Sequence, residues 1–353
     1  MEFAYDTDQT ISAADRTASN LKQYQDVMNT APDTLDIIVF PESCLNEFDT
    51  AVEIPDPKSN VIPCDSADYA EGNLLKTLSC AAKDKQRYLV INLTEKSKCP
   101  DQQMIINKDP RDCTARPDKM SYYNVNVALN RKGAVVSRYR KFNLFGEVVD
   151  KPHAPEAVAF DTDFGVTFGH FICFDLMFQK PALELVRVMN ITDIIFPTMW
   201  FSEIPFLSAV QVQQNWAFKN RVNLLAAGAS NPKVGSTGTG IFAAQYGSLT
   251  STMAGSSETK LYTAIVPKRT TPIASFDYTA VKHTPSEMKG LLLKRDQLDR
   301  YTTIPLKILS VIGPHNATSN ICSDGLCCDF EISYHSSINA ISPDVRSNDL
   351  IMF

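Results

Sequence analysis

The chain has 353 residues, 44% hydrophobic and 21% charged, an ordinary globular composition with room for one large domain and a smaller one. Its formal net charge of −6 argues against nucleic acid or an anionic membrane surface as a partner. No apolar run is long enough to cross a bilayer, so we expect no transmembrane segment.

The first third of the chain combines helical and strand patterns. Residues 13–29 are predicted to form a helix, because their apolar side chains recur on one face. Residues 35–40 form an apolar run typical of a strand buried on both sides, and Glu42 follows this run. A Pro-rich loop then leads to a predicted helix at 68–83 and a predicted strand at 87–92.

The middle of the chain contains two further strand ends that carry polar side chains. Residues 97–119 are polar and rich in Pro and Asp, which predicts an inserted loop. A hairpin is predicted at 124–139, and Lys141 comes just after it. The next apolar run ends at Cys173, and a helix is predicted over residues 176–190.

The last part of the chain changes character. A buried strand is predicted at 194–197, a helix at 211–220 and another strand at 222–229. Beyond these the pattern becomes less regular, and short strands separated by turns are predicted. We therefore expect a first domain at residues 1–270 and a β-rich second domain at residues 271–353.

Three chemically capable side chains stand at predicted strand ends, in the order Glu42, Lys141 and Cys173. Singly each has an ordinary explanation, since strand-terminal Glu and Lys are usually solvated and free Cys is usually a core residue. Together they are more specific, because open α/β folds place their chemistry at the carboxyl ends of strands. His170 is a rival base, but three residues before Cys173 on a strand it should face away from the thiol.

The junction after Cys173 has a geometry suited to a nucleophile. A cysteine between a strand and a helix is expected to lie on a sharp turn with its sulfur exposed. The backbone N–H groups that follow, beginning with that of Phe174, could hold an attacked carbonyl oxygen as negative charge develops on it. Asp175 is either the cap of the following helix or a member of the site.

Several short motifs run along the chain: Phe40-Pro41-Glu42, Ile54-Pro55-Asp56-Pro57, Ile62-Pro63-Cys64, Tyr139-Arg140-Lys141, Asn143-Leu144-Phe145, Cys173-Phe174-Asp175, Phe196-Pro197-Thr198-Met199-Trp200, Arg221-Val222-Asn223-Leu224-Leu225-Ala226 and Leu326-Cys327-Cys328 after Cys322. With them the sequence resembles the nitrilase superfamily of carbon–nitrogen hydrolases, and within it the vanin/biotinidase branch. One departure is Ser43-Cys44-Leu45, where that branch has an acidic and then a small residue. The resemblance implies a four-layer α-β-β-α sandwich, followed by part of a C-terminal β-rich domain.

The resemblance also implies roles for the strand-end residues. Glu42 would accept the proton of Cys173, and Lys141 would stabilise first the thiolate and then the tetrahedral intermediate. Glu147 would orient Lys141 and the substrate. The reaction would be amide hydrolysis through a thioester on Cys173, without a metal or an organic cofactor. The walls of the substrate pocket are predicted to be Phe145, Met199, Trp200 and Phe201.

The cysteines and the sequons indicate an oxidising compartment. Nine cysteines are many for a cytosolic enzyme, and the preferred pairs are Cys64–Cys80 and Cys99–Cys113, while no pairing is predicted in the tail. Glycosylation sequons begin at Asn92, Asn190 and Asn316. We therefore expect an extracellular protein. The chain opens without a signal peptide, and the resemblance implies that this peptide and most of a first strand precede it.

Several functions stay open at this point. By resemblance, the substrate is expected to be a vitamin-linked amide, pantetheine first and biocytin or a biotinyl peptide second. A secreted binding protein without activity on the same scaffold is a rival, and the complete set of Glu42, Lys141 and Cys173 argues against it. A cytosolic amidase is another rival, and the loop cysteines argue against that one.

Overall fold

The computed structural model describes residues 1–99, 113, 116–268, 279–280, 284–295, 304–306, 312–323, 325–336 and 350–352. The chain forms two units, Met1–Lys294 and Arg295–Phe353. The domain boundary expected between residues 270 and 271 lies outside the described residues and stays a prediction. Most of the inserted loop expected at 97–119 also lies outside them.

Helices and strands alternate through the first unit. Its described α-helices are α1 (Ala13–Thr30), α2 (Leu74–Asp84), α3 (Glu184–Arg187) and α4 (Ala209–Asn220). Its described strands are β1 (Glu2–Phe3), β2 (Ile37–Val39), β3 (Tyr88–Lys98), β4 (Met120–Leu129), β5 (Val135–Arg140), β6 (Val158–Asp161), β7 (Thr167–His170), β8 (Asp193–Thr198), β9 (Glu203–Ile204), β10 (Asn223–Ala229), β11 (Thr239–Ala243), β12 (Ser248–Thr252), β13 (Thr279–Ala280) and, reaching the next residue, β14 (Lys294–Arg295).

Local chemistry explains where the first two long helices begin. The Ser12 side chain caps α1 by accepting a hydrogen bond from the Asp15 N–H at 3.1 Å. Helix α2 begins at Leu74 and not at residue 68 as predicted. Asn73 caps it by accepting from the Lys76 N–H at 3.1 Å, and the preceding Gly72 has a φ of +81°, which breaks any earlier helical turn.

The continuous helix predicted over residues 176–190 is wrong. The chain instead forms a 3₁₀ turn at Cys173–Met177, a π turn at Gln179–Leu183 and only then α3. Lys180 has extended angles, φ −116° and ψ 131°. The reason is Pro181, because the proline ring disfavours helical angles in the residue before it.

Two sheets form the centre of the first unit. The four-stranded sheet has the order β2-β3-β4-β5, with β2 parallel to β3 and the other pairs antiparallel. The larger sheet has the order β13-β12-β11-β10-β8-β7-β6, and β7, β8 and β10 are mutually parallel. Strands β2 and β5 therefore end at one edge of their sheet, and β7 and β8 end together at an edge of theirs.

The packing of buried side chains arranges these elements in four layers. One core joins α1 and α2 to the outer face of the four-stranded sheet. A second core joins α3 and α4 to the outer face of the larger sheet. A third core lies between the sheets, where Val39, Tyr88 and Val90 meet Phe168 and Ile195. The four-layer α-β-β-α sandwich expected from the sequence is confirmed.

The described part of the second unit consists of strands. They are β15 (Ile304–Leu306), β16 (Gly313–Ser323), β17 (Leu326–Ser336) and β18 (Leu350–Met352). Strands β16 and β17 form a long antiparallel hairpin, closed near its turn by a disulfide between Cys322 and Cys327. The β-rich character predicted for the end of the chain agrees with this, but β16 and β17 have 11 residues each and are longer than predicted. Among the described helices, none combines the length and the apolar character needed to cross a membrane.

Candidate active site

Cys173 lies three residues beyond the end of β7, on a left-handed turn. Its φ is +46°, a value uncommon for a residue with a side chain, so the surrounding structure holds the backbone in this conformation. The prediction that its sulfur is exposed is wrong, since the residue is only 5% exposed. The thiol is free and lies 3.7 Å from the Met199 carbonyl oxygen, at the end of β8.

Glu42 and Lys141 come together although they are 99 residues apart in the chain. Glu42 follows β2 and Lys141 follows β5, the two parallel strands at the outer positions of the four-stranded sheet. The Lys141 Nζ donates to Glu42 Oε1 at 2.7 Å, and both side chains are almost fully buried. The second carboxylate oxygen, Oε2, accepts from the Met199 N–H at 2.7 Å. Glu42 is therefore held by groups from both sheets.

Glu147 completes a buried group of charges around Lys141. The Lys141 ammonium donates to Glu147 Oε1, and the Phe145 N–H donates to Glu147 Oε2. The Asn124 amide, on β4, donates to Glu42 at 2.8 Å and to Glu147 at 3.3 Å. Two carboxylates thus share two donors, so their mutual repulsion is offset by direct hydrogen bonds.

The charges set the resting protonation states of the site. Burial lowers the pKa of Lys141, but the negative charges of Glu42 and Glu147 and the neighbouring sulfur outweigh burial and raise that pKa above its ordinary value. Lys141 is therefore a permanent cation. Burial, reinforced by the charge of Glu42, raises the pKa of the Cys173 thiol, which Lys141 offsets only in part. The nucleophile rests as a thiol, and a base must remove its proton when it attacks.

Asp175 ties the segment after β5 to the turn that carries the nucleophile. Its Oδ2 accepts from the Tyr139 hydroxyl at 2.7 Å and from the Ile172 N–H at 3.0 Å. Its Oδ1 accepts from the backbone N–H and the side-chain amide of Asn143, each at 2.9 Å. Burial raises the pKa of this carboxyl, against these hydrogen bonds. The sequence left Asp175 as either a helix cap or a member of the site. Its carboxylate accepts from the Ile172 N–H within its own turn, and it also links this turn to Tyr139 and Asn143 beside the site.

Two hydrogen-bond donors near the thiol have no partner. Among the described residues, the backbone N–H of Phe174 meets no acceptor. The buried hydroxyl of Thr198, at the end of β8, also lacks a hydrogen-bond partner there, yet it is close enough to the Cys173 thiol to lower the thiol's pKa. A buried donor without a partner is costly, so the Thr198 hydroxyl beside the nucleophile is a candidate for holding a reacting oxygen. The Phe174 N–H is a second candidate because it directly follows the nucleophile.

Three aromatic side chains that adjoin site residues in the sequence lie close to one another. Phe145 is 52% exposed, and its ring centroid lies 5.0 Å from that of Phe174 and 6.2 Å from that of Phe201. Met199 touches the site through its backbone, while its side chain packs on the first core. Trp200 is buried in the second core and donates its indole N–H to the Leu207 carbonyl at 2.7 Å.

The rival base is separate from these charges. His170 is fully buried and its Nε2 makes a 2.8 Å hydrogen bond with the Ser137 hydroxyl. Burial lowers its pKa to about 3, so it is neutral at ordinary pH. It faces the space between the sheets, against Phe160 and Tyr139, and takes no part in the Glu42–Lys141 contacts.

The structure joins the two cysteine pairs that the sequence favours, Cys64–Cys80 and Cys99–Cys113, with Cα atoms 4.8 and 5.7 Å apart. The sequons divide into two kinds. Asn190 and Asn316 are exposed. Asn92 is 2% exposed and its amide makes hydrogen bonds inside the four-stranded sheet. The glycan on Asn92 stays a prediction, and the structure argues against it, because an attached sugar would have no room beside this buried and hydrogen-bonded amide.

A large cavity lies away from these residues. It has a volume of about 850 Å³ and is lined at the amino ends of β2 and β8 by residues such as Asp36 and Asp193. Its lining includes neither Glu42 nor Cys173, so the chemistry and this cavity are at different edges of the sheets. Within the described part of the chain, no group of three or more His, Cys, Asp or Glu side chains is placed to hold a metal ion.

Residues 4–274 match the carbon–nitrogen hydrolase family. The chain belongs to that family. Among its relatives, vanin-like protein 1 of Drosophila melanogaster is 42% identical over 341 residues, which are 93% of this chain and 59% of the relative. Pantetheinase of Homo sapiens is 33% identical over 297 residues, 81% of this chain and 54% of that protein. The resemblance to the vanin branch is therefore confirmed.

The chain spans 59–61% of the length of the three vanin-like relatives that it matches. Among solved structures, Nit3 of Saccharomyces cerevisiae, a member of the nitrilase superfamily, is 17% identical with a TM-score of 0.46, over 69% of this chain and 80% of that chain.

Three polar residues near the site were not predicted from the sequence. Asn124 and Thr198 are buried polar side chains next to the charged groups or the thiol, and Asn92 is a buried amide that donates to Asn124. A signal was present for Asn124, which lies with Asn126 on one face of an otherwise apolar strand. Buried amides in such a strand need partners, and a nearby carboxylate is a suitable one.

Proposed function

We propose that this chain hydrolyses a small linear carboxamide, with Cys173 as nucleophile, Glu42 as general base and acid, and Lys141 as the charge that stabilises the intermediate. The observation that carries the proposal is the contact of Glu42 with Lys141 at 2.7 Å beside a buried, free cysteine. Membership of the carbon–nitrogen hydrolase family supports it.

The first half of the reaction forms a thioester. The Cys173 proton passes to Glu42 as the sulfur bonds to the amide carbon, and the carbonyl oxygen takes the negative charge. Lys141, the Phe174 N–H and the Thr198 hydroxyl are the donors available to that oxygen or to the sulfur. The carbon–nitrogen bond then breaks, the amine nitrogen takes the proton from Glu42, and the amine leaves.

The second half releases the acid. A water molecule gives a proton to Glu42 and attacks the thioester carbon, and the sulfur leaves as its bond to carbon breaks. The proton returns from Glu42 to Cys173, so the protein ends in its starting state. Glu147 keeps Lys141 directed at this centre, since both carboxylates accept from the same ammonium.

Pantetheine is the substrate that we propose first, with pantothenate and cysteamine as products. The pantetheinases of Homo sapiens and Bos taurus, 33% and 39% identical to this chain, support this choice. The rings of Phe145, Phe174 and Phe201 lie against one another, and Phe174 follows Cys173 directly, so we propose that this partly apolar cluster holds an extended acyl chain.

The test compares kcat/KM for pantetheine, biocytin and a short peptide. We expect pantetheine to be preferred, and Cys173→Ala to abolish turnover while the melting temperature changes little. A higher kcat/KM for biocytin would support biotinidase activity instead. Turnover that survives Cys173→Ala would exclude the mechanism, and a folded chain that cleaves none of the three would favour a binding protein without activity.

We also propose that the protein is extracellular. Support comes from the disulfides at Cys64–Cys80, Cys99–Cys113 and Cys322–Cys327, and from the exposed sequons at Asn190 and Asn316. Expression in secretory cells should give a glycoprotein that loses one glycan mass with Asn190→Gln and another with Asn316→Gln. Recovery of the unmodified chain inside the cell would contradict this proposal.

The division of the chain at residue 270 remains our proposal as well, with a hydrolase domain before it and a separate β-rich domain after it. The family match ends nearby, at residue 274, which supports this position. The unit of strands described above begins somewhat later, at Arg295.

A further inference from the structure

Three buried asparagines lie side by side behind the charged residues. Asn92, near the middle of β3, donates from its Nδ2 to Asn124 Oδ1 at 2.7 Å and to Asn126 Oδ1 at 3.1 Å. The Asn92 Oδ1 accepts from the Ser43 N–H at 2.8 Å, next to Glu42 in the chain. Asn124 then donates to Glu42 and Glu147.

The groups at the two ends of this series of hydrogen bonds determine which way the oxygen and nitrogen of the Asn92 and Asn124 amides point. The Ser43 N–H can only donate, so Asn92 must turn its oxygen toward it and its nitrogen toward Asn124. The carboxylates of Glu42 and Glu147 can only accept, so Asn124 must turn its nitrogen toward them. Both ends demand the same orientation, and no other arrangement of the two amides satisfies all the groups.

This arrangement acts on the two carboxylates through one nitrogen. Glu42 Oε1 and Glu147 Oε1 each accept from Asn124 Nδ2 as well as from the Lys141 ammonium. The two negative carboxylates repel each other. The neutral Asn124 amide donates to both and opposes that repulsion without adding another charge. Without it, the carboxylates would be held by the flexible lysine and by backbone contacts alone.

We propose that Asn92 and Asn124 form a positioning relay, which holds the Glu42 carboxylate in the place from which it removes the Cys173 proton. The inference rests on the role of Glu42 as base in the proposed function. Among the described residues neither asparagine has a hydrogen bond with Cys173, so both act on the nucleophile through Glu42 and Glu147. Asn92, a sequon residue in the sequence, is thus a buried structural element of the active site and stays unmodified in the working protein.

The experiment compares two valine substitutions on the same face of β4. Asn124 and Asn126 are two residues apart, both are buried, and both accept from Asn92, but of the two only Asn124 contacts the carboxylates. We expect Asn124→Val to slow iodoacetamide alkylation of Cys173, and to lower kcat, by about tenfold to a hundredfold, the effect of losing a hydrogen bond to a charged group. Asn126→Val should change either rate less than about threefold, although both variants lower the melting temperature.

A second variant changes one atom of the relay far from the thiol. Asn92→Asp replaces the Nδ2 donor by an oxygen, and in its ionised form this carboxylate repels Asn124 Oδ1 and favours a turn of the Asn124 amide that directs its own oxygen toward Glu42. We expect the same loss of alkylation rate as in Asn124→Val, with little change of KM. If Asn124→Val does not fold, this variant decides. A rate like that of the unsubstituted chain in Asn92→Asp would overturn the relay.

The glycan provides an independent test, with a matched control. Thr94→Val removes the sequon without touching the relay, since the Thr94 hydroxyl donates only to the Asn46 carbonyl, at 3.2 Å. We expect Thr94→Val to leave both the glycan mass and the alkylation rate unchanged. A glycan found on Asn92 in active protein would overturn the proposal.

Alkylation separates this inference from the proposed function. If the relay variants slow alkylation but the unsubstituted chain hydrolyses no amide, the relay stands and the amidase proposal fails. If the chain hydrolyses amides and the relay variants leave both rates unchanged, the relay alone fails.

Discussion

The two sheets supply two unlike halves of the site. The base side, from the four-stranded sheet, consists of Glu42, Lys141 and Glu147, whose charged groups are all hydrogen-bonded. The nucleophile side, from the larger sheet, consists of Cys173 with the Phe174 N–H and the Thr198 hydroxyl, two donors without partners among the described residues. The base side therefore has its hydrogen bonds formed in the resting protein, whereas the nucleophile side has two donors with no acceptor among the described residues.

The difference follows from what each half must carry. Buried charges are tolerated only when they are paired, so the base side is saturated before any substrate arrives. Negative charge appears on the substrate oxygen only during reaction, so the groups that would stabilise it have no acceptor at rest. Donors without partners lower the stability of the fold, and the surrounding sheets are stable enough to tolerate this loss.

The largest expected effect comes from removing the base. We expect Glu42→Gln to lower kcat/KM about a thousandfold, within the range for loss of a general base, because the amide cannot accept the Cys173 proton. Steady-state kinetics with the best substrate measures this. The matched control is Glu147→Gln, which leaves the base in place and should cost about tenfold. Equal losses in the two variants would mean that the two carboxylates do not have separate roles.

A smaller effect is expected where the two halves are joined. Asp175→Asn removes a carboxylate that accepts from Tyr139, Ile172 and Asn143. An amide can accept at only one of its two ends, so the turn that carries Cys173 should shift relative to Lys141. We expect kcat to fall about tenfold to a hundredfold, together with a lower melting temperature.

Tyr139→Phe is the matched control for the brace, since it removes one of these bonds and leaves the carboxylate with its remaining donors. It should give a smaller change in the same two measurements. An Asp175→Asn protein that loses stability but keeps full kcat would separate the brace from the chemistry.

Thr198→Val tests the hydroxyl donor on the nucleophile side, because valine has nearly the same shape as threonine and lacks the hydroxyl. We expect kcat to fall about tenfold, because a donor near the reacting sulfur is lost. The free energy of unfolding should stay the same or rise by about 1 kcal/mol, because the hydroxyl meets no hydrogen-bond acceptor within the described part of the chain apart from its contact with the thiol. Kinetics and urea unfolding on the same preparation measure both. A fall in stability with unchanged kcat would show the hydroxyl to be structural.

The smallest effect on turnover is expected from His170, but it gives the clearest dependence on pH. Burial lowers the pKa of this imidazole from 6.5 to about 3. Between these two pH values the imidazole is protonated in the unfolded chain and neutral in the folded chain. The stability from this group is complete above pH 6.5 and is lost as the pH falls toward 3, at about 1.4 kcal/mol per pH unit.

Urea unfolding at several pH values between about 7 and about 5, with the chain and with His170→Gln, isolates this contribution. The variant should lose less stability on acidification and keep most of its activity near neutral pH. Identical slopes for the two proteins would contradict the assignment of a buried, neutral His170.

Much of this molecule follows from its sequence. The apolar runs that end at Glu42, Lys141 and Cys173 lie in strands, or close to their ends, as predicted, because an apolar run bounded by turns has few other places in a layered fold. The helix at Ala13–Thr30 follows from the 3.6-residue period and from the Ser12 cap. These features depend on residues that are near each other in the chain.

Other features depend on contacts between distant residues, and only the tertiary structure decided them. Asn92 has the sequence of a glycosylation site, but its hydrogen bonds reach Ser43 and Asn124, 49 and 32 residues away. Cys173 was expected to be exposed, and it is 5% exposed because it packs in the second core, with residues distant in the chain.

The tertiary structure also determined which polar side chains serve the site. The motif that contains Trp200 suggested a pocket wall, and the packing of α4 on the larger sheet draws its ring into the core. The position of Asn124 on a buried face of β4 could be predicted from the sequence, but its contacts with both glutamates could not. Periodicity shows which face of a strand is buried, but the partners across that face depend on the pairing and packing of whole sheets.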